Sequence, residues 1–222
     1  MKKNTTELVF ILDKSGSMAG LEADTIGGYN AMLQKQKDAG GEVRITTVLF
    51  DNHYCLLHDR LDLKAVAPIT SKEYSVGGST ALLDAIGRTI QKIEGVRRHT
   101  ATAYRAEKVL FVITTDGMEN ASRKYSYEQI QTMVERQKEE YSWEFIFLGA
   151  NIDAVETAER FGIGADRAQT YHADKAGTKL NYRVLSDTVC QFVQKSAIPA
   201  DWNSEIAADF EMRKENADPD PQ

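Results

Sequence analysis

Asp13 and Asp116 are the residues of this chain best placed to do chemistry, because each follows an apolar run of strand length, residues 8–12 and 109–113. Their neighbours are small and oxygen-rich: Asp13-Lys14-Ser15-Gly16-Ser17-Met18 in one loop, Thr114-Thr115-Asp116-Gly117 in the other. A third loop, Ser75-Val76-Gly77-Gly78-Ser79-Thr80, brings a hydroxyl to what reads as a helix start. Gly16 and Gly117 permit tight turns that aim short side chains inward. Carboxylates and hydroxyls without Cys or His are hard ligands, favouring Mg2+ or Mn2+, and after them Ca2+, over zinc or copper. Asp13, Ser15, Ser17, Thr80 and Asp116 together suit a small octahedral ion that keeps some of its waters. Neutral hydroxyls donate little charge, so such an ion stays electron-poor and favours an anionic ligand from outside.

For the two aspartates to meet, they must leave neighbouring strands. Apolar runs of strand length alternate here with longer helical patterns, the signature of an α/β fold with a mostly parallel sheet. Runs 8–12, 109–113 and 145–148 are apolar on both faces, as central strands covered by helices must be. Residues 43–50 read as a longer strand, Asp51-Asn52-His53 as a turn, 54–58 as a returning antiparallel edge and 168–171 as a last short strand. Helices are predicted from about 21–24 to 38, stopped by Gly40-Gly41, and from Ser79 or Thr80 toward Ile93. Further helices are predicted over 126–140 with Ser126 as N-cap, from Asp153, and over 175–195. In doubly wound sheets ligands bind at the carboxyl ends of the strands, where the strand order reverses. If strands 8–12 and 109–113 are neighbours there, both aspartates face one crevice.

Asp13-x-Ser15-x-Ser17 after a strand, Thr80 after Gly77-Gly78-Ser79, and Asp116-Gly117 after a strand resemble the metal-ion-dependent adhesion site of von Willebrand factor A domains of the intracellular bacterial type. The resemblance runs over about residues 5–195, with all five motif positions filled by the family's residue types. It implies a Rossmann-like three-layer sandwich: a mostly parallel six-stranded sheet, ordered 3-2-1-4-5-6 with one antiparallel edge strand, and helices on both faces. It implies that Ser15, Ser17 and Thr80 ligate the ion, and that Asp13 and Asp116 hold it directly or through water. One coordination position is then left for an Asp or Glu of a partner protein. Lys14 occupies a variable position of the motif and is expected to point away from the ion.

Charge divides the chain into a domain over 1–197 and an acidic tail over 198–222, expected to be disordered at its tip. Of the formal net charge of −6, the tail carries −5. The nearly neutral remainder gives no support to a nucleic-acid partner. Trp202 and Phe210 are available to dock part of the tail. No apolar run approaches the ~20 residues that span a bilayer, and the apolar stretch before Asp13 is too short for a signal-peptide core, so a cytoplasmic protein is expected. Cys55 and Cys190 are too few for a disulfide framework and are expected to be reduced and at least partly buried.

Blander readings apply elsewhere. Glu119 and Asn120, beside the site, read equally as shapers of its rim or as solvated loop residues and are left outside the ligand set, and Arg97-Arg98-His99 reads as a solvated loop. Gly27-Gly28 reads as close packing, and Phe161-Gly162-Ile163-Gly164 as a helix-ending turn. His53 and Cys55 would share one face of the edge strand with His58 on the other, which argues against a zinc site. The function predicted is therefore a cation-dependent protein-binding module rather than an enzyme. A phosphatase-like hydrolase using the same crevice is the rival, although Ser15 stands where such an enzyme wants a second Asp as general acid. A scaffold with an unoccupied site is the third reading.

Overall fold

The computed structural model describes residues 5–217, apart from the side chains of 215–217. The elements run β1 (Thr5–Asp13), α1 (Glu22–Ala39), β2 (Glu42–Phe50), β3 (Tyr54–Asp62), α2 (Leu82–His99), β4 (Lys108–Thr115), α3 (Tyr127–Tyr141), β5 (Glu144–Ala150), α4 (Ala154–Arg160), β6 (Ala168–Tyr171), α5 (Lys175–Lys195) and α6 (Ser204–Ala217). The sheet order is β3-β2-β1-β4-β5-β6. Only β3 runs antiparallel to its neighbour.

Alternation along β1 explains why it is apolar throughout. Leu8, Phe10 and Leu12 enter one core with α1 and α5, whereas Val9 and Ile11 enter the other with α2, α3 and α4. Each side chain so buried contributes on the order of 1.5–3 kcal/mol of transfer free energy. Tyr29 of α1 packs edge-on against Phe10, 5.6 Å between ring centres, and its hydroxyl lies 2.5 Å from Thr47 Oγ1 of β2.

Two predicted elements are found with altered limits. β3 extends beyond His58 to Asp62, with an irregular register opposite 45–48 and Arg60 in a left-handed conformation (φ 50°). The irregularity keeps His58 turned inward, its Nδ1 3.0 Å from Thr47 Oγ1, and lets Arg60 donate to the buried Glu7 at 2.9 Å. α2 begins at Leu82, later than Ser79 or Thr80, and continues to His99. Arg97-Arg98-His99 is thus its last turn, where cations suit the negative helix end, and not a solvated loop. Cys55 is exposed, contrary to expectation, at the start of the edge strand β3, whereas Leu57 two residues on packs against the core; Cys190 is half-buried.

A sixth helix follows Pro199, where composition alone sets apart an acidic tail. Trp202 and Ile206 are buried, and the Trp202 indole donates to the Asp166 carbonyl at 2.9 Å. Phe210 stacks on His172, 4.7 Å between ring centres. α6 thereby covers β6, the outermost strand on that side, whose free edge would otherwise invite pairing with another chain. The tip expected to be disordered, 218–222, lies outside the described residues. Among the described residues no helix is long and apolar enough to cross a membrane.

Gly27 and Gly28 differ sharply in surroundings. A Cβ at Gly28 would overlap the Tyr182 ring of α5, whereas one at Gly27 would meet nothing within 4 Å. Gly27→Ala is expected to raise stability by about 0.5–1 kcal/mol, since it removes only helix-interior glycine entropy. Gly28→Ala is expected to lower it, as overpacking does by about 1–3 kcal/mol. Urea unfolding of the two variants beside the parent checks both signs.

Candidate metal centre

β1 and β4 lie side by side at the point where the strand order reverses, with Leu12 opposite Thr114. Asp13, the last residue of β1, and Asp116, the first after β4, therefore leave the sheet together at its carboxyl end. Both oxygens of Asp13 are held: Oδ1 accepts from the Ser15 amide at 2.7 Å, and Oδ2 from the Thr115 hydroxyl at 2.7 Å. The Tyr74 hydroxyl donates to the Asp13 carbonyl at 2.5 Å and fixes the backbone from below. Ser15 Oγ lies 3.0 Å from Ser17 Oγ, and the Ser17 hydroxyl in turn donates to Asp116 Oδ1.

Asp116 Oδ2 is buried with no hydrogen-bond partner among the described residues. The Ser17 and Thr80 hydroxyls close over Gly117, where a Cβ would sit 3.2 Å and 3.4 Å from their respective oxygens. All five sequence-predicted residues are thus brought to one cluster. Asp13, Ser15, Thr80 and Asp116 are 1, 1, 3 and 2% exposed, and the exposed Ser17 forms the mouth.

Charge makes the cluster unusual. Burial raises the pKa of Asp13, and burial together with the charge of Asp13 raises that of Asp116. The adjacent cation does not relieve them, because Lys14 pairs with Asp51 at 2.8 Å, turned away as expected. Two buried carboxylates, one of them with an orphaned oxygen, and three hydroxyls make a donor set that fits a hard dication. Among the described residues no group of three or more His, Cys, Asp or Glu is disposed to hold a metal, so the site's donors are mostly hydroxyls.

The three loops are stitched together by groups that sequence reasoning left out. Gly16 N donates to Gly78 O at 3.0 Å, and Gly77 N to Lys14 O at 2.9 Å, joining the first loop to the second. Thr80 is clamped to the third: its amide donates to Asn120 Oδ1 at 2.9 Å, and its carbonyl accepts from the amides of Asn120 and Ala121. Glu119 caps α2 from a distance, accepting from Leu83 N at 2.9 Å, from the Ala121 and Ser122 amides and from the Ser122 hydroxyl. Asp84 reciprocates by accepting from the amides of Arg123, Lys124 and Tyr125. Glu119 and the exposed Asn120 are therefore structural members of the site. The only local signal was an acid in the first turn of a helix, at Asp84.

This is the von Willebrand factor A fold, and known structures share it. The vWF domain of the type V pili tip protein Mfa5 from Porphyromonas gingivalis superposes with a TM-score of 0.60 at 10% identity, covering 87% of this chain and 98% of that one. Manganese-loaded Plasmodium vivax TRAP protein gives 0.58 at 16% identity, with coverages of 81% and 73%. The PilB minor pilin from Streptococcus sanguinis gives 0.58 at 11% identity; 89% of this chain is covered, and it spans 64% of the pilin, less than two thirds. No protein-family model matches the chain, and no curated protein matches it.

Two outcomes test the site without any metal. The raised pKa values mean that both carboxyls hold protons more tightly folded than unfolded. Folded stability is thus lost as pH rises through their folded pKa values. Asp116→Asn removes one such charge, and in EDTA at neutral pH it is expected to raise the melting midpoint by about 2–4 °C, the response of a chain this size to about 1 kcal/mol. Glu119→Ala strands several amides and is expected to cost about 1–3 kcal/mol. Hydrogen exchange of the Leu83 amide should accelerate in that variant while β5 amides stay protected.

Proposed function

We propose that this chain is a cytoplasmic protein-binding module that works through a divalent cation, Mg2+ or Mn2+, held by Asp13, Ser15, Ser17, Thr80 and Asp116. The observation that carries the reading is the buried Asp116 Oδ2, which has neither a hydrogen-bond partner nor a paired cation among the described residues and belongs to a cluster of hydroxyls. Asp13 is oriented by Ser15 and Thr115, and Thr80 by Asn120, so the donors are held in place before any ion arrives. When bound, the ion supplies a charge-dense point that accepts a carboxylate from a partner protein. Ser17, exposed at the mouth, leaves that approach open, and Met118 beside it, 70% exposed, offers the partner an apolar contact. The manganese-loaded state of the TRAP structure is consistent with this reading.

Hydrolysis finds less support. A phosphatase of the expected type needs an acid two residues beyond Asp13, and the Ser15 hydroxyl there is too weak an acid to deliver a proton to a leaving group at neutral pH. The four histidines of the chain lie at 53, 58, 99 and 172, none of them in the cluster.

Mn2+ is expected to raise the melting midpoint of the protein, with a gain of about 2.7 kcal/mol when the ion stands at a hundred times its Kd. Asp13→Ala should abolish that shift, and with it the capture of a partner that EDTA also releases. Absence of any shift at millimolar Mn2+ or Mg2+ overturns the metal reading and leaves a scaffold. Mg2+-dependent turnover of an aryl phosphate, lost in Asp13→Asn, would replace it with the hydrolase.

A further inference from the structure

A groove of about 740 Å3 runs between α1 and α5 on the side of the sheet away from α2. The two helices lie parallel: Gly28 meets Tyr182 near their middles, and Gln36 reaches the Ser186 carbonyl lower down, at 3.0 Å. The buried Met32 and Tyr182 and the half-buried Leu180 give the groove an apolar floor.

Its two walls are ordered rows. On α1, Ala23, Gly27 and Ala31 stand four residues apart and are exposed, and beyond Gly27 there is open space. On α5, Lys175, Lys179 and Arg183 stand at the same interval, also exposed. Lys175 and Lys179 make no ion pair among the described residues, whereas Arg183 pairs with Glu205 of α6. Asp24 is the one acid lining the groove.

Arg183 ties α5 to α6, but Lys175 and Lys179 on one row and Gly27 on the other have no such part in the fold among the described residues. Cations in the first turns of a helix oppose its dipole, and α5 meets them with a single acid, Asp174 at its N-cap, which is engaged by the Gly177 amide and Arg213. An exposed glycine inside α1 weakens that helix, and Gly27, unlike Gly28, has no neighbour that requires it. Both features gain a purpose if something apolar and anionic lies in the groove. Its concave form suits a helix laid between helices better than a flat lipid surface, which convex amphipathic helices bind.

We propose that the α1–α5 groove docks an amphipathic helix of a partner protein. The apolar ridge of that helix rests on Ala23, Gly27 and Ala31, and its carboxylates, four residues apart, meet Lys175, Lys179 and Arg183. Side chains four apart on a helix are about 6 Å from one another, so a helix aligned with α5 repeats the spacing of the cations. The surface is separate from the metal cluster and does not depend on it.

The test uses the full chain and a fluorescein-labelled helical peptide with leucines on one face and glutamates four residues apart along its flank. Lysine-substituted and scrambled peptides serve as controls, and melting curves check that each variant is folded. The glutamate peptide is expected to bind saturably and more weakly as salt rises. The double variant Lys175→Glu, Lys179→Glu should weaken it about tenfold and gain affinity for the lysine peptide. Gly27→Leu, which fills open space without backbone strain, should also abolish binding, whereas Asp13→Ala should leave it unchanged. Equal binding of all three peptides, no saturable binding, or no effect of the groove variants overturns the proposal. So does capture of the chain by phosphatidylserine vesicles when the glutamate peptide fails to bind.

Discussion

Two carboxylates, buried side by side with no cation paired to either among the described residues, are the constraint around which this fold is arranged. Asp13 and Asp116 leave adjacent parallel strands at the switch point and cannot move apart without breaking the β1–β4 ladder. Their desolvation is only partly offset by hydrogen bonds: Asp13 accepts two, and Asp116 accepts one from Ser17. Burial of a charge without full compensation is expensive, and the surrounding structure has to hold the arrangement in place. Tyr74 does so from beneath through its bond to the Asp13 carbonyl, with Tyr171 buried nearby. Burial first of all raises both hydroxyl pKa values well above the usual range, followed by Tyr182 and Asp13 for Tyr74 and by Asp116 and Asp13 for Tyr171, so both remain neutral.

From above, the restraint is a lattice of backbone bonds among loops far apart in sequence. Thr80 illustrates the principle. Its hydroxyl belongs to the cluster, while its amide and carbonyl are both engaged by the loop that follows Asp116. A shift of that loop therefore moves Thr80 with it, and the separation of the hydroxyl from Asp116 is conserved. Glu119 and Asp84 extend the same clamp into α2, each taking up amides on the other's segment. Gly117 completes the arrangement by having no side chain, since even a methyl group would press on the Ser17 and Thr80 oxygens.

How much of this was legible depended on the range of the interaction that decides each element. Strands such as 8–12 could be read because burial on both faces leaves a continuous apolar run. Helix α3 could be read because its capping box, Ser126 with Gln129, is local. The five cluster residues were legible as a pattern of types and spacings. The start of α2 was not, because Glu119 supplies its cap from 36 residues away, and Thr80 is diverted from helix to clamp. α6 was obscured for a related reason. Its composition is acidic, and only the burial of Trp202 and Ile206 against the β6 side makes the helix worthwhile. Glu119 and Asn120 looked like loop residues because in sequence they are; their hydrogen bonds reveal the role.

A cation that accepts a carboxylate recognises any Asp or Glu equally, so such a contact cannot by itself choose a partner. Discrimination has to come from what surrounds it. The rim offers little: Ser17 is small and Met118 is a single flexible apolar side chain. α1, however, begins just beyond the first metal-site loop and carries one wall of the basic groove along its length. A partner that engaged both surfaces would meet a point contact with no sequence preference and a longer surface that demands apolar and acidic residues in register. Joining two weak contacts through one chain raises the effective concentration of the second. Under that arrangement the cation would govern whether the partner is held, and the α1–α5 face would govern which partner it is.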